Sequence, residues 1–236
     1  MGALNDLYFL GDRVDSRDYG LQALILPKPQ KPERRYQEYS VPGRSGKLRI
    51  SEDSYEEIEK TASFMCSAAD VDRACEWLSS ITEISTSAEP GRVFTVSACP
   101  GIKTATKTSG LYEFSVSYKC FPLSKDAEEL SFVLTSGQTV INPSPEPAYP
   151  SFDVIGSGTI VIAVGSQTLV INDVVTPLTI EGGESFMCYD STGNKLGDMA
   201  LTPASDVGFP VIYGNEEVAI TYSAFSVTMR PNWRYR

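Results

Sequence analysis

Between Leu111 and Phe121 apolar and polar side chains alternate without a break. Tyr112, Phe114, Val116, Tyr118 and Cys120 fall on one side, and Glu113, Ser115, Ser117 and Lys119 on the other. A period of two puts these sets on opposite faces of an extended chain, one against a core and one toward water. A strand this long needs neighbours of similar length to satisfy its backbone, so the run commits its half of the chain to a sheet. Pro122 then removes the N–H a ladder would need, and the strand stops there.

The rest of the first half supplies such neighbours. Leu4–Leu10 and Gly20–Leu26 read as strands around a turn carrying Asp12, Asp15 and Asp18. Acids three apart do not match the alternate spacing of a calcium loop. Pro27, Pro29 and Pro32 interrupt pairing, and Tyr36–Val41 is extended again. It runs into Val41-Pro42-Gly43-Arg44-Ser45-Gly46-Lys47-Leu48, where two glycines around a polar pair signal a tight turn needing positive φ. Arg49–Lys60 reads as one strand and Arg92–Ala98 as another. A single helix is expected over 68–81, capped by Ser67 or Asp70. Its residues Val71, Ala74, Cys75, Trp77, Leu78 and Ile81 share a face that packs on a sheet.

Asn142–Pro150 holds four prolines and reads as a stiff boundary between units. Short strands follow at sandwich spacing: Phe152–Ile155, Thr159–Val164, Gln167–Ile171, Leu178–Ile180, Ser185–Tyr189, Glu217–Tyr222 and Phe225–Met229. The expected fold is mainly β. An α+β N-terminal domain with one packed helix spans 1–135 and a β-sandwich spans 136–236. A return of the last strand to the first domain is left open.

Composition narrows the chemistry. The chain contains no histidine, which removes the commonest general base and the commonest zinc ligand. Its five cysteines are scattered without a C-x-x-C pair, so reduced, buried thiols of a protein folded in cytoplasm are expected. Carboxylate-only hydrolysis remains, but no acid sits in an aromatic-rich loop that would position a sugar. No enzyme, cofactor or metal is therefore expected. The formal charge of −10 argues against specific nucleic-acid binding. Met1–Leu10 contains Asp6 and no basic stretch, and no apolar run reaches the roughly 20 residues of a membrane span, so neither a secretion signal nor membrane insertion is expected.

The order of motifs resembles the distal tail protein (Dit) family of long, flexible-tailed bacteriophages and their prophages. The residues are Val41-Pro42-Gly43-Arg44-x-Gly46-x-Leu48, then the capped helix, then Gly91-Arg92-Val93-Phe94. Gly110-Leu111-Tyr112-Glu113-Phe114 follows, leading to Cys120-Phe121-Pro122. The second half adds Pro147-x-x-Pro150-x-Phe152-x-Val154-x-Gly156, Phe209-Pro210 and a terminal Arg230-Pro231-x-Trp233-Arg234-Tyr235. Ser45 stands where the family usually has Asp, and Val211-Ile212-Tyr213-Gly214-Asn215 replaces its usual turn. The resemblance implies a tail-tube-like first domain and a galectin-like sandwich. It also implies a non-catalytic hub of the tail tip or baseplate, folded in the host cytoplasm and resident in the virion. Six copies would close a ring between the major tail tube protein and the tail-tip protein. The sandwich would dock receptor-binding or baseplate proteins, and DNA would pass through the ring without specific binding.

On that reading the interface residues are Leu7, Tyr8 and Phe9 of the first strand, Pro42, Gly43, Arg44, Gly46 and Leu48 of the turn, and Phe114. Glu52, Asp53, Glu56 and Glu57 would line the lumen, where negative charge repels the DNA backbone. The rival reading is a carbohydrate-binding sandwich, with Trp233, Tyr189 and Tyr213 stacking on a sugar.

Overall fold

A computed structural model describes residues 8–43, 45–99, 101–108, 110–174, 177–182, 187–193, 199–201 and 210–236, with backbone alone at 53, 104–108 and 199–201. The chain divides into two compact units, residues 1–127 with 236, and residues 128–235.

The first unit contains β1 (Phe9–Gly11), β2 (Val14–Asp15), β3 (Gln22–Ile25), β4 (Arg34–Ser40), β5 (Lys47–Tyr55), β6 (Ile58–Ser67), α1 (Val71–Ser80), β7 (Glu83–Thr86), β8 (Arg92–Ala98), β9 (Ile102–Thr108), β10 (Leu111–Cys120) and β11 (Ser124–Asp126). Its main antiparallel sheet runs β2-β1-β7-β8-β10-β6-β3, with β9 also on β10 and β11 on β8. The alternating run is β10, and it pairs with β6 along its whole length, from Leu111↔Ser67 to Cys120↔Ile58. The register brings Phe114 opposite Phe64 and Val116 opposite Ala62 on the buried face. On the other face, Ser115 meets Ser63 at 2.7 Å and Ser117 meets Thr61 at 2.6 Å.

The helix covers this sheet. Ala74, Trp77, Leu78 and Ile81 join a core with Phe9, Phe64, Phe114 and Tyr118. Phe9 sits edge-on to Phe64 and Trp77 and stacked on Tyr118. A Cβ on Gly11 would lie 2.4 Å from Ile81 Cδ1 and 2.9 Å from Trp77 Cζ2, so any larger residue would have to push these core side chains aside. The helix begins at Val71, three residues after the expected start at 68, directly after Asp70, the second of its two candidate caps. Asp70 takes the N-cap position in a helical conformation without a side-chain cap, and its carboxylate accepts the Ser67 hydroxyl at 2.7 Å instead.

Two expectations need correction. Arg49–Lys60 is not one strand: β5 ends at Tyr55, and β6 starts at Ile58. The odd spacing of Tyr55 and Ile58 is itself a break of phase, since a strand would put them on opposite faces. The proline-rich 142–150 segment is not the boundary between units, because the second unit already begins at Glu128. It is pinned inside that unit. The buried Asn142 amide donates to the carbonyls of Glu146 (2.8 Å), Ile212 (3.0 Å) and Tyr213 (3.2 Å), and Ala148 bridges Ile212. Prolines lower the number of N–H groups such a buried loop must satisfy.

The second unit comprises β12 (Phe132–Val133), β13 (Gln138–Ile141), β14 (Ser151–Ile155), β15 (Gly158–Val164), β16 (Gln167–Val174), β17 (Leu178–Glu181), β18 (Met187–Asp190), β19 (Met199–Leu201), β20 (Glu217–Tyr222) and β21 (Ser226–Arg230). They form two sheets, β12-β21-β14-β17-β18 and β13-β20-β15-β16-β19. Alternate residues of both enter one core, among them Phe152, Val154, Ile160, Ile162, Leu169, Ile180, Ile220, Val227 and Met229. This is the two-sheet sandwich that the strand spacing predicts. Among the described residues, no helix is long and apolar enough to cross a membrane.

Candidate assembly surface

β4 and β5 form a ribbon that pairs with no other strand among the described residues. Its register is Tyr36↔Ser51, Gln37↔Ile50, Glu38↔Arg49, Tyr39↔Leu48 and Ser40↔Lys47. Directly opposed residues share a face, so the ribbon has two unlike sides. One carries Glu38 between Lys47 (2.5 Å) and Arg49 (2.9 Å), which hold its carboxylate below the ordinary range. The other carries Tyr39, Leu48 and Ile50, exposed by 46%, 38% and 50%, with Gln37 beside them. Val41, just past the end of β4, is exposed as well. A two-stranded ribbon with a bare apolar side is marginal alone and offers two strand edges and a hydrophobic strip to another surface.

The predicted turn is the tip of this ribbon. Gly43 and Gly46 take φ of 81° and 87°, as a glycine-dependent turn requires. Pro42, Gly43 and Gly46 are exposed at the tip beside Leu48 on the apolar side. Arg44 and Leu7 lie outside the described residues. Tyr8 is half-buried and tied to Ser87, whose hydroxyl accepts the Tyr8 N–H at 3.2 Å. Phe9 and Phe114 are fully buried in the core, so neither side chain is available to a neighbouring molecule. Their apolar character follows from strand alternation, which marks burial without distinguishing core from interface.

Glu52, Glu56 and Glu57 are exposed on β5 and on the link to β6. Glu56 meets Arg35 at 3.3 Å, while the side chain of Asp53 lies outside the described residues. The rival sugar platform lacks an accessible tryptophan. Trp233 is 4% exposed and belongs to the sandwich core, although Tyr213 is exposed and Tyr189 half-buried.

Sequence reasoning missed Lys60. It lies on the inward row of β6 with Ile58, Ala62, Phe64 and Cys66, and it is 1% exposed. Its ammonium pairs with Glu89, sits 4.1 Å from the centre of the Phe94 ring and reaches the Lys28 carbonyl at 3.4 Å. The signal was its parity with four apolar neighbours.

A solved structure has a similar fold and matches over nearly the full length. The Dit protein of phage SPP1, described as a paradigm of hub adsorption apparatus in Gram-positive infecting phages, matches with a TM-score of 0.63 at 14% identity. The match covers 94% of this chain and 97% of that one. The chain has the Dit fold. Such coverage exceeds what either unit could supply alone, so the Dit fold spans both. No family model matches the sequence, and no curated protein matches it.

Proposed function

We propose that this chain is a structural hub protein of a phage tail tip. Six copies close into a ring between the tail tube and the tip, and the sandwich docks receptor-binding or baseplate proteins. The observation that carries the reading is the full-length match to a phage hub protein at a level where sequence is nearly silent. The ribbon supplies the physical means. Head-to-tail contacts that rotate by a fixed angle close and stop, and a protruding amphipathic element with two strand edges is suited to such contacts. Obligate interfaces of this kind bury on the order of 2,000 Å², so the ribbon works together with other parts of the first unit. Tyr8 and the tip residues Pro42, Gly43, Arg44, Gly46 and Leu48 contribute to it. The acidic stretch of Glu52, Asp53, Glu56 and Glu57 faces the lumen.

The test is mass measurement in solution, with negative-stain imaging of the protein alone and mixed with its tail tube and tail-tip neighbours. Rings of six copies are expected in at least the mixed samples. A monomer that binds neither neighbour at any concentration overturns the proposal.

A further inference from the structure

Lys60 breaks an otherwise apolar row, and a buried lysine is costly unless its ammonium is paired. Core stability does not call for the charge, since well-packed apolar replacements of buried ion pairs are often neutral or stabilising. What the ammonium does that a methyl group cannot is donate to a backbone carbonyl, here Lys28 O at 3.4 Å. Lys28 lies in the segment that carries the chain from β3 into β4. This segment contains Pro27, Pro29 and Pro32 and pairs with no strand among the described residues. The other leg of the ribbon, Glu56–Glu57, runs straight into the start of β6, where Lys60 is the third residue. Where the legs come together, the Glu56 N–H donates to Glu33 O at 2.8 Å. One leg therefore enters the strand that bears Lys60, and the other is held by its ammonium. Glu89 and Phe94 hold the same ammonium.

We infer that Lys60 is a positioning residue that sets the direction in which the β4–β5 ribbon leaves the first unit. It presents the Tyr39, Leu48 and Ile50 side at one angle to a neighbouring copy. The inference rests on the ring-closing reading of the ribbon but is tested without it. Nitroxides on genetically encoded ketone side chains replace Ser40 in the ribbon and Glu113 on β10. Labelled chain is diluted into unlabelled chain, and the spin–spin distance distribution reports the ribbon's direction. Lys60→Met is expected to broaden that distribution roughly twofold, with the circular dichroism spectrum retained and the melting midpoint lowered, because Glu89 is left without its partner. Lys60→Met/Glu89→Gln, which removes both charges, is expected to broaden it likewise with the midpoint retained. An unchanged distribution in a folded variant overturns the inference. So does collapse of the whole fold in both variants, which would make Lys60 a member of the core and nothing more. Broadening in a protein whose wild type forms no ring would refute the ring while leaving the positioning role in place.

Discussion

Burial governs the thiols. Cys120 sits on the inward row of β10 and Cys188 in the sandwich core, and desolvation pushes their thiols up from 9.0 to about 12 and about 11. The folded chain thus holds protons that the unfolded chain releases above 9.0. The stability they contribute is fully present below that value and is lost as pH rises toward the folded values. Each thiol adds a slope of up to about 1.4 kcal/mol per pH unit. Denaturant unfolding of the wild type from pH 9 upward should show this fall, and Cys120→Ala should show a shallower one. Equal slopes would mean that water reaches the thiol. The same burial predicts that Cys120 resists alkylation in the folded protein and reacts on unfolding.

The ribbon shows how an element can be nearly useless to its own unit. Tyr39, Leu48 and Ile50 touch solvent in the single chain, so Ile50→Glu should change its stability by less than about 0.5 kcal/mol. Against a neighbour, covering each half-exposed side chain gains about 1 kcal/mol, repeated at every contact of a ring. Ile50→Glu should therefore leave the melting curve unchanged at concentrations too low for assembly, and at higher concentrations shift the mass in solution to the monomer. A ring that survives the change would show that the apolar side faces water in the assembly. Elements of this kind mark the limit of sequence reading. The turn at Gly43 and Gly46, strand β10 and strand β8 are visible because local rules decide them: positive φ, a period of two, a stopping proline. Phe9, Phe114 and Lys60 are misjudged or missed because their roles depend on what lies across the sheet. Apolar alternation reads alike for a core and for an interface. A lysine in the inward row reads as solvated until Glu89 and Lys28 O, distant in sequence, come beside it. The short strands β12 and β13 escape notice because they are set by pairing with β21 and β20.

In the proposed ring, charge and architecture would serve one use. The net charge is −10, yet two cations, Lys47 and Arg49, flank Glu38 on the ribbon's polar side, while Glu52, Glu56 and Glu57 stand exposed near its base. In a closed ring, acids repeated by symmetry add their fields in a narrow channel, where screening by roughly 8 Å at physiological salt is incomplete. Such a lining keeps a polyanion moving, whereas a basic one would hold it through counterion release. Reversing Glu56 and Glu57 to lysine should therefore slow genome ejection, measured as release of DNA from purified virions. Tail assembly should proceed, because both side chains are exposed and the Glu56–Arg35 pair is too solvated to hold the fold. The slowing should weaken as salt is raised, since added ions compete for the phosphates. Ejection at the wild-type rate at low salt would place these acids on the outer wall of the ring, where DNA never meets them.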